Sequence, residues 1–149
     1  MPGLIRGTNH SSFTVSDVQR SLAFFRDVIG LELISLAPRD PALIERIVGV
    51  PGAEVLIAYL SGHGHTIELI EYTAPAGRDH VRPRPCDVGF AHIAYDVSDL
   101  NAAIEACAAH GVIPIAAPTS VDKGPNAGLR VSYLRDPDGV TIELIEKPA

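Results

Sequence analysis

The sequence predicts an α+β fold made of two tandem βαβββ modules, and two internal repeats support this prediction. Residues 13–18 (FTVSDV) match residues 95–100 (YDVSDL), and residues 66–71 (TIELIE) recur unchanged as residues 141–146. Each repeat therefore occurs once in each half of the chain. A self-similar order of elements indicates two copies of one structural unit.

A helix is predicted over residues 17–29 of the first module. Its apolar side chains keep helical spacing, and Ser16 and Gln19 have the spacing of a capping box just before them. Gly30 stands where a left-handed residue commonly ends a helix. The apolar positions are Val18, Leu22, Phe25 and Val28. We expect a strand before this helix and several strands after it.

The second module is predicted to repeat this order. Its helix begins at Ser98 and stops at His110 and Gly111, with Leu100, Ile104, Cys107 and Ala108 on one face. Residues 136–139 (DPDG) supply the Pro and Gly of a hairpin turn, and residues 61–65 form the corresponding turn of the first module. A Pro-rich and Gly-containing segment at about 73–88 separates the copies. The whole chain, 1–149, is thus predicted to be one domain, with modules at about 5–72 and 89–147.

Composition excludes several classes of function. The net charge of −6 over 149 residues leaves no basic surface for nucleic acid. Aliphatic runs fall well short of the ~20 residues of a membrane-spanning helix, and no secretory signal is recognisable, so we expect a cytoplasmic protein without a membrane partner. Cys86 and Cys107 are too few for a disulfide framework.

Two histidines and two glutamates at equivalent places in the repeats are the candidate metal ligands. His10 and His92 are predicted on the first strands, and Glu68 and Glu143 on the last. Side chains alternate along a strand, and the apolar neighbours of all four residues mark the opposite, helix-packed face. Two carboxylates buried together would be costly unless a divalent cation compensates their charge, and neutral imidazoles complete such a set. The sequence therefore predicts one divalent metal ion held by these four residues.

Other polar residues have simpler interpretations. Glu71 and Glu146 have the wrong parity for the site, so we expect them to face solvent or the strand ends. His63 and His65 are expected to be exposed in the turn. Arginines in loop or linker regions either bind a substrate carboxylate or phosphate or remain solvated. These are Arg46, Arg78, Arg82 and Arg84.

The paired βαβββ modules, the strand-borne histidines and the closing phrase of residues 136–146 (DPDGVTIELIE) resemble the vicinal oxygen chelate superfamily of glyoxalases, bleomycin-resistance proteins and dioxygenases. The resemblance covers almost the whole chain. It implies a glyoxalase-type fold whose curved mixed sheets enclose a metal site at His10, Glu68, His92 and Glu143. It also implies a homodimer.

Four protein ligands resemble glyoxalase I more than the 2-His-1-carboxylate iron site of ring-cleaving dioxygenases. The resemblance implies a lyase or isomerase that removes a proton next to a carbonyl through a metal-stabilised enediolate, acting on a lactoylglutathione-like or methylmalonyl-CoA-like substrate. It points to Glu143 first and Glu68 second as the catalytic base. Nickel, cobalt, zinc, manganese and iron all remain open as the metal. The alternatives are an extradiol-type dioxygenase and a metal-free drug-binding protein of the same superfamily.

Overall fold

The chain forms two compact units, residues 1–78 and residues 79–149. The computed structural model describes residues 3–148, so the first two residues and the last residue of the predicted domain lie outside the described part. Within that part, the helices are all too short or too polar to cross a membrane.

The first unit is a four-stranded mixed sheet with two helices. Its sheet order is β1-β4-β3-β2; β1 runs parallel to β4, and the other neighbours are antiparallel. The elements in chain order are β1 (Ser11–Val15), α1 (Val18–Asp27), β2 (Glu32–Pro38), α2 (Pro41–Val48), β3 (Glu54–Gly62) and β4 (His65–Ala74).

The second unit repeats the arrangement with shorter outer strands. Its sheet follows the order β5-β9-β8-β6, with β7 also paired to β8, and β5 runs parallel to β9. The elements are β5 (Ile93–Val97), α3 (Leu100–Ala108), β6 (Ile113–Pro114), β7 (Thr119–Ser120), β8 (Arg130–Arg135) and β9 (Thr141–Glu146). The predicted α+β class, with one mixed sheet in each half, is confirmed.

Both predicted helices form, but α1 begins at Val18, one residue later than predicted, and α3 begins at Leu100, two residues later than predicted. Asp17 is the N-cap of α1, and its carboxylate accepts a hydrogen bond from the Arg20 N–H at 3.0 Å. The predicted capping box is wrong because Asp17, and not Ser16, is the N-cap; the Ser16 hydroxyl accepts a hydrogen bond from the Arg20 guanidinium. Asp99 caps α3 in the same way, in place of Ser98. A carboxylate at an N-cap also favours the positive end of the helix dipole.

Helix α2 was not predicted. Asp40 caps it through the Leu43 N–H, Pro41 opens it, and Gly49 ends it in a left-handed conformation with φ of 69°. Among its side chains Ile44 is the buried one, and it contacts a small cluster with Val55 and Ile57. A helix of eight residues with one buried side chain shows little apolar periodicity. Its capping residues were therefore the signals in the sequence that could have indicated it.

The turns before the last strands differ between the units. In the second, Asp136 accepts hydrogen bonds from the Asp138 and Val140 N–H groups, and Gly139 has φ of 95°, which confirms the predicted hairpin. In the first, His63 lies in the turn and is exposed as expected. His65 is half-buried at the start of β4 and contacts the Ser11 hydroxyl at 3.0 Å, so its predicted exposure is wrong.

Apolar side chains on one face of each sheet form the core of that unit. Ile67 and Leu69 flank Glu68 in β4 and are fully buried, and Ile142 and Leu144 flank Glu143 in the same way. Each such side chain contributes about 1.5–3 kcal/mol of hydrophobic stabilisation. Because side chains alternate along a strand, this burial directs each glutamate to the opposite face of its sheet.

Candidate metal-ligating pairs

Each unit brings one histidine, one glutamate and one tyrosine together at the same sheet register. In the first unit, Glu68 of β4 pairs with Ser12 of β1 and with Tyr59 of β3. His10 lies two residues before Ser12, immediately ahead of β1 rather than on the strand as predicted. It therefore keeps the parity that points it toward Glu68.

The second unit has the same register. Glu143 of β9 pairs with Ala94 of β5 and with Tyr133 of β8. His92 lies two residues before Ala94, and it too falls just ahead of its strand. The repeat in sequence is therefore a repeat of position, because equal spacing along equally paired strands puts equivalent side chains on one face.

In the first unit the three side chains are in direct contact. The His10 Nε2 atom lies 3.4 Å from Glu68 Oε2, and the Tyr59 hydroxyl donates a hydrogen bond to Glu68 Oε1. The rings of His10 and Tyr59 meet edge to face with centroids 5.7 Å apart. Glu68 is a buried carboxylate with 7% of its surface exposed.

Asn9 orients the imidazole of His10. The His10 Nδ1 atom is 2.6 Å from the Asn9 side-chain oxygen, which can only accept a hydrogen bond. When Nδ1 donates to this oxygen in the neutral ring, the lone pair is on Nε2, the nitrogen that faces Glu68. That tautomer is the one that metal ligation through Nε2 requires.

In the second unit the tyrosine contacts the histidine instead of the carboxylate. The His92 Nε2 atom lies 3.2 Å from Glu143 Oε2 and 3.4 Å from the Tyr133 hydroxyl. Phe90 stacks on His92 with ring centroids 5.8 Å apart. This glutamate side chain is 18% exposed, against 9% for that of Glu68.

Both tyrosines remain protonated at neutral pH. The hydrogen bond to Glu68, with burial as a second cause, raises the pKa of Tyr59 above its usual value of 10.0. Burial, followed by the charge of Glu143, raises the pKa of Tyr133. Each hydroxyl is therefore a hydrogen-bond donor beside its glutamate and histidine.

All four predicted ligands thus lie in His–Glu pairs, one pair in each unit. Within residues 3–148, no group of three or more His, Cys, Asp and Glu side chains gathers as a metal site would require. Each pair nevertheless suits a divalent ion, because imidazole nitrogen and carboxylate oxygen are ligands of first-row metals and Glu68 is a buried anion. The four-residue site remains a prediction.

The tyrosines and Asn9 were not predicted as part of the site. A signal for the tyrosines existed, since Tyr59-Leu60 recurs as Tyr133-Leu134. A repeated tyrosine does not by itself indicate a role for its hydroxyl. Asn9 has no equivalent in the second module, where Ala91 precedes His92.

The second glutamate of each repeat contacts the start of a helix, whereas it was expected to face solvent or the strand ends. Glu71 accepts a hydrogen bond from the Val18 N–H at 2.8 Å, at the first residue of α1. Glu146 accepts one from the Leu100 N–H at 3.2 Å, at the first residue of α3, and also pairs with Arg130. The parity that keeps both residues away from the predicted site points them toward the helix-packed face.

The arginines of the segment between the two sheets are engaged locally. Arg84 forms an ion pair with Asp87 at 2.8 Å, and that pairing lowers the pKa of the Asp87 carboxyl. The guanidinium groups of Arg78 and Arg82 donate to the backbone oxygens of Pro75 and Pro137.

Comparison with known proteins gives a family match. The chain matches the Glyoxalase/Bleomycin resistance protein/Dioxygenase superfamily over residues 7–144. A 2-epi-5-epi-valiolone epimerase from an Actinomyces species is 36% identical and aligns with 100% of this chain and 83% of its own length. A lactoylglutathione lyase from Haemophilus influenzae is 29% identical, over 92% of this chain and 90% of its own.

Solved structures support the fold. A glyoxalase family protein from Bacillus cereus superposes with a TM-score of 0.83 at 24% identity, covering 99% of this chain and 98% of the other. A variant of the fosfomycin resistance protein FosX from Listeria monocytogenes, complexed with Mn(II) and a dihydroxypropylphosphonic acid, has a TM-score of 0.64 at 20% identity and covers 95% and 90% of the two chains.

Proposed function

Because this chain belongs to the Glyoxalase/Bleomycin resistance protein/Dioxygenase superfamily, we propose that it is a divalent-metal-dependent enzyme that removes a proton from a carbon next to a carbonyl group. The observation that carries the proposal is the repeated His–Glu pair. Each unit sets one imidazole nitrogen within 3.4 Å of one carboxylate oxygen at the same register.

His10, Glu68, His92 and Glu143 are the proposed ligands of one ion. Two carboxylates and two neutral imidazoles balance a divalent charge. Such an ion would polarise the substrate carbonyl and so lower the pKa of the neighbouring C–H group. Manganese, the metal of the FosX complex, is one candidate beside nickel, cobalt, zinc and iron.

Glu143 is the proposed base. Its carboxylate accepts the proton as the C–H bond breaks, and the electron pair of that bond remains on the substrate. Protonation of the same carbon from its opposite face by solvent, with the Glu143-held proton released to solvent, inverts the stereocentre, and delivery of the Glu143-held proton to the adjacent carbon completes an isomerisation. Glu68 is the second candidate for the base.

Between the two reactions, we favour epimerisation. The epimerase relative is 36% identical over the whole chain, and the lactoylglutathione lyase relative is 29% identical over 92% of it. An epimerase inverts one stereocentre, and proton removal next to a carbonyl is a direct way to do so. The substrate is therefore proposed to be a small carbonyl compound with a C–H stereocentre beside the carbonyl, and the enzyme to act as a homodimer.

Metal analysis followed by proton exchange tests the proposal. We expect elemental analysis of the metal-loaded protein to find about one divalent ion per chain, and loss of that ion in a His10→Ala, His92→Ala double variant. Incubation of the loaded enzyme with 2-epi-5-epi-valiolone in D₂O should replace one carbon-bound proton, followed by NMR. Lactoylglutathione serves as the comparison substrate, since its lactoyl C–H adjoins the thioester carbonyl.

A metal-free protein that binds small molecules without exchange would overturn the enzymatic proposal in favour of a binding protein. Oxygen consumption in the presence of a catechol would instead indicate an extradiol-type dioxygenase.

A further inference from the structure

The two units place their tyrosines alike in register, yet the hydroxyl groups have different partners. We propose that Tyr59 is a positioning residue that holds Glu68 as a permanent metal ligand and thereby leaves proton transfer to Glu143. This inference rests on the proposed function, which names both glutamates as ligands and leaves Glu68 as the second candidate base.

Backbone register does not account for the difference. Tyr59 pairs with Glu68 and Tyr133 pairs with Glu143, each across neighbouring antiparallel strands. The Tyr59 hydroxyl donates to the Glu68 carboxylate, while the Tyr133 hydroxyl lies 3.4 Å from His92 Nε2. The two carboxylates therefore differ in their side-chain contacts and not in their backbone register.

Glu68 is the more strongly held of the two. Its side chain is 9% exposed and contacts both His10 and the Tyr59 hydroxyl. A hydroxyl that donates to a charged carboxylate forms a stronger bond than one between neutral groups, and burial makes the loss of that bond costly. Rotating Glu68 away to take a proton would break this bond inside the unit.

Glu143 is less constrained. Its side chain is 18% exposed, and among the described residues the contact found for its carboxylate is the one with His92 at 3.2 Å. A carboxylate that must approach a carbon, accept a proton and release it has to change its position. The geometry thus suits Glu143 to move and Glu68 to stay.

The neighbouring histidines follow the same division. Asn9 contacts His10 through Nδ1, so both proposed metal ligands of the first unit, His10 and Glu68, are held by a hydrogen bond. In the second unit, Phe90 and Tyr133 contact His92 through their rings. Supports of this kind orient ligands and raise metal affinity. The first unit is therefore the preorganised half of the proposed site.

Mn(II) binding to the full chain tests the inference without substrate. After the metal is stripped with a chelator, Mn(II) is titrated calorimetrically into the parent, Tyr59→Phe and the matched control Tyr133→Phe. We expect Tyr59→Phe to weaken Mn(II) binding by about 10–100-fold, the usual effect of losing a residue that supports a ligand. Tyr133→Phe should change the dissociation constant by less than about threefold, since its contact is long.

A double-mutant cycle separates positioning from a general structural role. In a Glu68→Ala background, Tyr59→Phe should cause no further loss of Mn(II) affinity, because the carboxylate it supports is gone. A Tyr59→Phe dissociation constant within twofold of the parent, an equal loss in Tyr133→Phe, or an undiminished loss in the Glu68→Ala background overturns the inference and leaves the proposed function standing. A parent protein that binds no divalent ion overturns both.

Discussion

At the scale of single residues, the two glutamates of the repeat are equivalent in sequence and unequal in environment. Glu68 is held by a hydroxyl and an imidazole, and Glu143 by an imidazole. Their chemical roles can therefore differ even though the repeated phrase around them is identical. The proposal that Glu143 is the base rests on this inequality together with the family resemblance.

Glu143→Gln should abolish exchange of the substrate's carbon-bound proton, because an amide cannot accept it. The expected loss is about 10²–10⁴-fold, as for other general bases. Glu68→Gln should retain measurable exchange, since an amide oxygen can still act as a ligand. Exchange into D₂O is followed by NMR at saturating metal, so that weaker metal binding is not mistaken for lost proton transfer.

The ordering of the two variants decides the roles. A metal-loaded Glu143→Gln protein as fast as the parent, beside an inactive Glu68→Gln protein, would reverse the assignment. Full activity in both would mean that neither carboxylate is the base.

Tyr95→Phe should leave stability unchanged or raise it by up to about 1 kcal/mol at pH 8, because the Tyr95 hydroxyl is buried without a hydrogen-bond partner in the described structure. Phe13 occupies the equivalent position of the first module. Burial raises the pKa of Tyr95 to about 12. Between pH 10 and that value the unfolded chain loses this proton while the folded chain keeps it, so the parent loses stability as pH rises.

Urea unfolding at pH 8 and at pH 11 measures the difference. The variant should lose less stability than the parent between the two values. An equal loss in both proteins would show that the Tyr95 hydroxyl is not buried in the folded state.

At the scale of elements, each module joins its last strand to its helix through a glutamate. Glu71 and Glu146 each accept from the first N–H of a helix, α1 and α3 respectively. The free N–H groups of a helix start need such acceptors, and a negative charge there is favoured by the helix dipole. The repeated TIELIE phrase thus encodes a candidate ligand and a helix contact three residues apart.

Glu71→Ala should destabilise the protein by about 0.5–2 kcal/mol, because it removes both the acceptor and the charge. Glu71→Gln should cost less, since an amide oxygen still accepts. Glu32→Ala, at an exposed position of β2, is the control for loss of a surface carboxylate. Urea denaturation gives the free energies of unfolding, and a Glu71→Ala value equal to that of the control would contradict the role.

At the scale of the whole molecule, each unit builds an open sheet. The first ends in β1 and β2, and the path of the second ends in β5 and β6. Open edges present unpaired backbone groups that proteins usually cover. Pairing of modules between two copies of the chain is one way to cover them.

We therefore expect a homodimer. Sedimentation equilibrium at micromolar concentration should give a mass twice the 15.8 kDa of the chain. Measurements with and without Mn(II) show whether assembly depends on the ion. A single species of 15.8 kDa under both conditions would contradict the prediction.

The sequence by itself determined the α+β class and the two helices of the repeat, and it placed a histidine and a glutamate at equivalent positions of both repeats. Repeated phrases and apolar alternation depend on neighbours along the chain, and those are visible in a single sequence. The sequence did not reveal α2, because one buried side chain gives no apolar periodicity. It also did not show that Asp17, rather than the neighbouring Ser16, caps α1.

Only the tertiary structure decided which partner each polar group has. Tyr59 on β3 donates a hydrogen bond to Glu68 on the neighbouring strand β4. Glu71 accepts a hydrogen bond at the start of α1 from Val18, which lies 53 positions away in sequence. Tyr133 has the same register as Tyr59 but contacts His92. Hydrogen bonds of this kind require donor and acceptor atoms on separate elements to lie about 3 Å apart, within a few tenths of an ångström, and no local pattern of residues records those distances.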